Sequence, residues 1–170
     1  MKLKIKDITR LAIVAALYVA LTYVSYPFAY GYMQFRISEI LVLLCFFRKD
    51  YIYSLTIGCI LANLLSPYGI LDIIFGTLAT LISVILIAYS KRLFLASLYP
   101  AIFNGLIIGT LIYYTTESPV SIFFYMGSVA FGEFIVVSIV GYIVFRYLIK
   151  KPKFLSIIEA NQNVETNANF

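Results

Sequence analysis

Histidine and tryptophan are absent from this 170-residue chain, and only 12% of its residues are charged. Without histidine it lacks both the commonest metal ligand and the side chain that most often carries protons near neutral pH. Its two cysteines, Cys45 and Cys59, lie in separate apolar stretches, so they supply neither a disulfide framework nor the usual zinc spacing, and small buried side chains are the simpler reading. No G-x-x-x-x-G-K-[ST] phosphate loop occurs, which leaves the chain without that means of driving work by ATP. What fills the space is apolar: 62% of residues are hydrophobic and the mean hydropathy is +0.96. A soluble domain has roughly a quarter of its residues charged, so water is not the main solvent of this protein.

At about twenty apolar residues per crossing, 170 residues hold five to seven membrane helices and no separate soluble domain. The basic start, Lys2, Lys4, Lys6 and Arg10, precedes 25 uncharged residues from Leu11 to Phe35. That run exceeds the roughly 7–15 residues of a signal-peptide core, and a retained first helix is expected. Further uncharged runs are Ile40–Phe47, Tyr51–Leu71, Ile73–Ser90, Leu93–Thr116 and, broken only by Glu133, Ser118–Phe145. Joining the second run to the third would set Arg48, Lys49 and Asp50 in mid-bilayer at about 3 kcal/mol each. A break there gives a short second helix and a third from about Tyr51 to Leu65.

Charge asymmetry tests the count independently. With six crossings and a cytoplasmic N-terminus, twelve of the thirteen basic residues fall inside and only Arg36 falls outside. Five crossings would move Lys91 and Arg92 to the wrong side. The expectation is therefore an all-α integral membrane protein of six transmembrane helices, over residues 1–153, with both termini cytoplasmic. A polar tail, residues 154–170, follows without apolar periodicity and is expected to be disordered. The net charge of +5 reports topology, not nucleic-acid binding. The outer connections are Ser25–Ile37, Ser66–Gly69 and Thr115–Pro119. The first mixes aromatic and polar residues, including Tyr30, Tyr32, Gln34 and Phe35, and suits a loop folded over a site as a lid.

Polar residues inside the apolar runs are the candidates for function. Glu133 sits near the middle of the sixth helix, where an unpaired carboxylate is costly enough that such residues face a cavity or a counter-charge; the competing reading is a glutamate that only knits helices together. Asp72 lies in the first turns of the fourth helix, where the helix dipole alone would favour it. Glu39 follows Arg36 by three residues, a spacing that a local ion pair explains equally well. Asn63 reads either as a site residue or as a helix C-cap. Asn104, four residues after Pro100 in the fifth helix, reads as site or as interhelical glue. The topology puts Arg36, Glu39, Asn63 and Asp72 in the outer half, with Asn104 and Glu133 deeper and reachable from it. The 15 Tyr and 14 Phe include rings able to stack a planar ligand, although most must face lipid or core. Ala12, Ala16 and Ala20 recur every four residues on the first helix beside Ala15, a groove for close helix approach from within or from a partner. Gly105 and Gly109 form a second such pair, read as internal packing.

The strings Gln34-Phe35-Arg36-Ile37-Ser38-Glu39, Ala62 to Asp72 running into Phe75-Gly76-Thr77-Leu78-Ala79-Thr80, Tyr99-Pro100 to Asn104, and Gly132-Glu133 together resemble the substrate-binding S components of energy-coupling factor transporters, specifically the queuosine-precursor (QueT) family, over roughly Ile8 to Lys150. The resemblance implies an S-component bundle in a prokaryotic cell membrane. Such a subunit captures a small molecule from outside and docks on a transmembrane scaffold subunit with two ATPase subunits, which use the ATP. The alanine face, Ala12, Ala16 and Ala20, would contact the scaffold. The implied ligand is a 7-deazaguanine, above all its 7-aminomethyl form. Glu133 and Asp72, with Glu39 in reserve, would meet its N–H edge and its ammonium. Asn104, Asn63 or Gln34 would donate to the ring carbonyl, with tyrosines such as Tyr30 stacking on the ring. No metal and no cofactor of the chain itself is implied. The rivals are an S component for a flavin, thiamine or folate, a membrane-embedded enzyme lacking any evident Ser-Lys or zinc set, and a channel or structural subunit.

Overall fold

The computed structural model describes residues 5–31, 33–116 and 119–160, and among them every regular element is helical. Helix α1 spans Ile5–Val24, and α2 is a single turn at Tyr26–Ala29 started by Pro27. Helix α3, Ile37–Phe47, begins with 3-10 turns over Ile37–Leu43 and ends as α-helix. Helices α4 (Tyr51–Asn63), α5 (Ile70–Tyr89) and α6 (Leu93–Thr116) follow. Helix α7, Ile122–Leu148, widens to π-helical turns over Phe134–Gly141, and α8, Pro152–Ile158, closes the described chain.

Four helices, α1, α5, α6 and α7, are long and apolar enough to cross a membrane. Helices α3 and α4 are apolar but shorter, because Glu39 and the Arg48-Lys49-Asp50 turn interrupt the hydrophobic run. The breaks expected at residues 48–50 and over Ser66–Gly69 are both present, with α4 ending at Asn63, two residues before the expected Leu65.

Packing explains how a short α3 is tolerated. Helices α1, α4, α5, α6 and α7 pack each on a neighbour, α1 on α4, α4 on α5, α5 on α6 and α6 on α7. Helix α3 lies within this arc and touches α1, α4, α5 and α7. Every residue from Val42 to Phe47 is buried. Outward positions carry Ile13, Leu17, Tyr53, Ile57, Ile74, Leu106, Phe123 and Ile143, all exposed. An exterior this apolar matches a lipid solvent, in which helix association rests on close packing and not on a difference in hydrophobicity.

Glycines set the closest approaches. A Cβ at Gly58 would lie 3.1 Å from the Ala15 carbonyl oxygen, so α1 and α4 meet backbone to backbone. A Cβ at Gly105 would lie 2.7 Å from that of Ala130, and one at Gly109 would strike the Met126 backbone. The Gly105 and Gly109 pair is thus consumed by the α6–α7 seam, as expected.

The expected tail needs correction over its first part. Residues 152–158 form helix α8, whose Ile158 is buried and whose Phe154 ring meets Phe145 at 6.0 Å and Phe47 at 6.4 Å. Glu159 then closes a charge cluster, bonding Lys6 at 3.0 Å, Arg10 at 2.6 Å and Arg48 at 2.7 Å. Arg48 also pairs with Asp7 at 3.3 Å and Asp50 at 2.8 Å. These apolar anchors and distant cations are tertiary partners, which no local periodicity reveals. Residues 161–170 lie outside the described residues.

Candidate functional site

The turn Ser66–Gly69 brings α5 back against α4, with Gly69 in the left-handed region at φ 61°. Asp72, one turn into α5, is thereby carried onto the last turn of α4, where Asn63 is fully buried. Asn63 does not spend its side chain on capping its own helix. Its Nδ2 donates to the Asp72 carbonyl at 3.0 Å, and its Oδ1 accepts from Arg36 Nη1 at 3.2 Å. Gly76 makes the room: a Cβ there would lie 2.6 Å from Asp72 Oδ1 and 2.7 Å from Asn63 Nδ2.

Arg36, at the head of α3, is the hub. It is 3% exposed, and its guanidinium lies 3.8 Å from Asp72 Oδ2 and 4.0 Å from Glu39 Oε1. The Tyr30 ring lies 5.1 Å from Cζ, a cation–π distance, while the Tyr30 hydroxyl donates to the Ala62 carbonyl at 2.7 Å. The i,i+3 pair foreseen for Arg36 and Glu39 exists, but inside the protein. Glu39 Oε1 also accepts from the Tyr18 hydroxyl of α1 and from Thr80 Oγ1 of α5 at 3.4 Å.

A second acid faces the same region from α7. Asn104 Nδ2 donates to Glu133 Oε1 at 3.1 Å, joining α6 to α7 where the π-helical turns begin. Gly132 lets the chain between α2 and α3 lie directly on α7: a Cβ there would collide with the Met33 carbonyl oxygen and lie 3.5 Å from the Gln34 carbonyl carbon. Gln34 is buried and held at φ 45°, a strained value for a residue with a Cβ, which costs about 1–3 kcal/mol and persists only where the surroundings enforce it. Glu133 follows Gly132 directly, so the second acid stands beside the segment that leads from Gln34 into Arg36. Gln34, Arg36, Glu39, Asn63, Asp72, Asn104, Glu133 and Tyr30 therefore occupy one buried region.

Hydrogen bonding there is incomplete. Gln34 Nε2, Arg36 Nε and Nη2, Glu39 Oε2, both Asp72 carboxylate oxygens and Glu133 Oε2 are buried without a hydrogen-bond partner. Each unmet group costs about 1–3 kcal/mol, more when charged, so a native fold keeps such a cluster only for a reason. Donors and acceptors stand side by side, which suits a compact guest that carries both.

Other expected positions lie elsewhere. Ala12, Ala16 and Ala20 are exposed on the outward side of α1, away from this cluster, whereas Ala15 turns inward against Gly58. Phe35 is half-buried and packs on the apolar core. Tyr32 lies outside the described residues. Four contributors were not foreseen: Tyr18, Thr80, Gly76 and Cys59, whose Sγ contacts Thr80 Oγ1 at 3.3 Å and accepts from Asn63 Nδ2 at 3.4 Å. A signal for Tyr18 exists in Thr22, four residues on, which shares its helix face and bonds Ser38 Oγ at 2.6 Å.

The fold and the enclosed cluster define a polytopic α-helical membrane protein with a buried polar site. The chain belongs to the QueT transporter family, which matches residues 8–150. That family consists of transporters, not enzymes. An 83-residue stretch is 48% identical to the queuosine precursor transporter QueT of Lactococcus lactis subsp. cremoris (strain MG1363), covering 48% of this chain and 48% of that protein. The match thus spans about half the length of this relative. No solved structure matches the chain significantly.

Proposed function

We propose that this chain is the substrate-capture subunit of an energy-coupling factor importer in a prokaryotic cell membrane, and that it binds a queuosine precursor of the 7-deazaguanine class. The observation that carries this reading is the unmet set of buried donors and acceptors on Gln34, Arg36, Glu39, Asp72 and Glu133. A guanine-like edge offers adjacent N–H donors and a carbonyl acceptor, and an aminomethyl arm adds a cation. The cluster supplies the complement of each. Family membership and the name of the relative favour the same class of guest.

In this reading α3 and α4 complete six crossings, both termini are cytoplasmic, and Arg36 reaches the site from the outer side. The segment carrying Tyr30 and Gln34 covers the guest. The exposed Ala12, Ala16 and Ala20 stripe meets a scaffold subunit, and two partner ATPases supply the energy.

Mass spectrometry of small molecules released from the purified protein tests the ligand, together with titration in detergent. A 7-deazaguanine at about one per chain, bound without turnover, is expected. Release of a flavin, thiamine or folate instead, or no saturable binding of any 7-deazaguanine, overturns the reading. Ala16→Phe tests docking separately: ligand affinity should persist while uptake by the complete transporter is lost.

A further inference from the structure

The three acids of the site stand in different electrostatic positions, and the difference assigns them separate tasks. Such a division of labour rests on the reading of the site as a 7-deazaguanine receptor. Asp72 is fully buried, wedged between Gly76 and Asn63, and faces the Arg36 guanidinium at 3.8 Å. Its charge is opposed by Arg36, while neither carboxylate oxygen has a hydrogen-bond partner. Glu39 has one oxygen engaged by Tyr18, Thr80 and, at 4.0 Å, Arg36, which leaves Oε2 open. Glu133 differs from both. Its side chain accepts from a neutral amide, Asn104, and no Lys or Arg among the described residues lies within ion-pair distance of it. Its Oε2 is buried and unpartnered.

A buried carboxylate with no adjacent cation gains most from a guest that brings one, because the attraction is strong in a low-dielectric setting and the desolvation cost is otherwise unanswered. A carboxylate already facing a guanidinium gains less from a second cation and remains a good acceptor for neutral N–H groups. We infer that Glu133, anchored by Asn104, is the residue that selects a positively charged 7-substituent, that Glu39 accepts from the N–H edge of the ring, and that Asp72 acts as a positioning residue by fixing Arg36. Glu133 then shares the guest with Glu39, and Asp72 stands behind them.

Binding of two ligands that differ in this charge decides it: 7-aminomethyl-7-deazaguanine, a cation at neutral pH, and 7-cyano-7-deazaguanine, which is neutral. The unaltered protein should favour the cation by tenfold or more, or about 1.4 kcal/mol. In Glu133→Gln that ratio should fall to near one. Glu39→Gln and Asp72→Asn should weaken both ligands together and leave the ratio standing. Should Glu133→Gln fail to fold, Asn104→Leu, which frees the acid but retains it, should narrow the ratio several-fold. Equal affinities in the unaltered protein overturn the inference, as does a ratio that survives Glu133→Gln or Asn104→Leu, or one that collapses in Asp72→Asn. Binding of neither ligand by the unaltered protein is the distinct result that removes the parent reading.

Discussion

Arg36 shows how one residue can organise a buried site. Its guanidinium meets Asn63, Asp72 and Glu39 from three separate elements, and Tyr30 covers its face. Removing one member of a buried ion pair costs about 3–5 kcal/mol because the remaining charge is left uncompensated. Arg36→Met should therefore lower the midpoint of thermal unfolding in detergent sharply. Adding Asp72→Asn should restore part of the loss, and a double-mutant cycle reads the coupling; strict additivity would mean that the two do not interact. Gly132 gives a second expectation. Gly132→Ala drives a Cβ into the Met33 carbonyl, so it should displace Gln34 and weaken ligand binding by about tenfold or more, near the lower end of the 1–3 kcal/mol cost of overpacking. Isothermal titration measures it. At this scale the sequence is readable where chemistry contradicts its surroundings. Glu133, Asp72 and Asn104 stand out because apolar neighbours exclude such groups, whereas Tyr18 is one of 15 tyrosines and Thr22, on the same helix face, marks that face as polar without naming Glu39 as the partner.

Among the elements, α8 was the least legible. Phe154, Leu155 and Ile158 are too few for a periodic signal, and Glu159 acquires its meaning only from Arg10, Lys6 and Arg48 in other parts of the chain. Hydrogen bonds first from Arg10 and then from Lys6 lower the Glu159 carboxyl to about 2. The unfolded value is about 4.3. With the folded value depressed, the clasp contributes fully above the unfolded value and is lost as pH falls from about 4.3 toward 2. Amide protection factors over residues 152–160 should fall across that interval, and added salt should enhance the loss because Glu159 is partly solvent-exposed. Glu159→Gln should show the fast exchange already at neutral pH. The Gly105 and Gly109 spacing, by contrast, marks an internal packing face, since small residues are what let two helices touch, and the structure supplies α7 as its partner.

Across the whole molecule, hydropathy located the four long helices and the chain breaks, while the status of α3 and α4 as crossings rests on charge placement. Single-cysteine labelling in a Cys45→Ala, Cys59→Ala background checks the six-crossing topology. Cysteines at Pro67 and Pro119, both exposed, should react with an impermeant reagent from outside, and those at Lys91 and Lys150 only from within. Lys91 reacting from outside would enforce an odd number of crossings before it. Hydropathy missed the 3-10 start of α3, because Glu39 and Ser38 are buried there only by virtue of α1 and α5.

The enclosure of α3 bears on biogenesis. A segment of 11 residues that carries Glu39 and is buried throughout its second half offers an insertion machine too little greasy surface to be admitted alone. Its own neighbours must furnish the shelter, and α5 and α7 are synthesised after it. The nascent chain must then keep α3 waiting at the bilayer edge until the later helices arrive. Ribosome-stalled intermediates ending before α7 should leave it accessible to protease, and the buried polar cluster closes in the last act of assembly, when Glu133 arrives with α7.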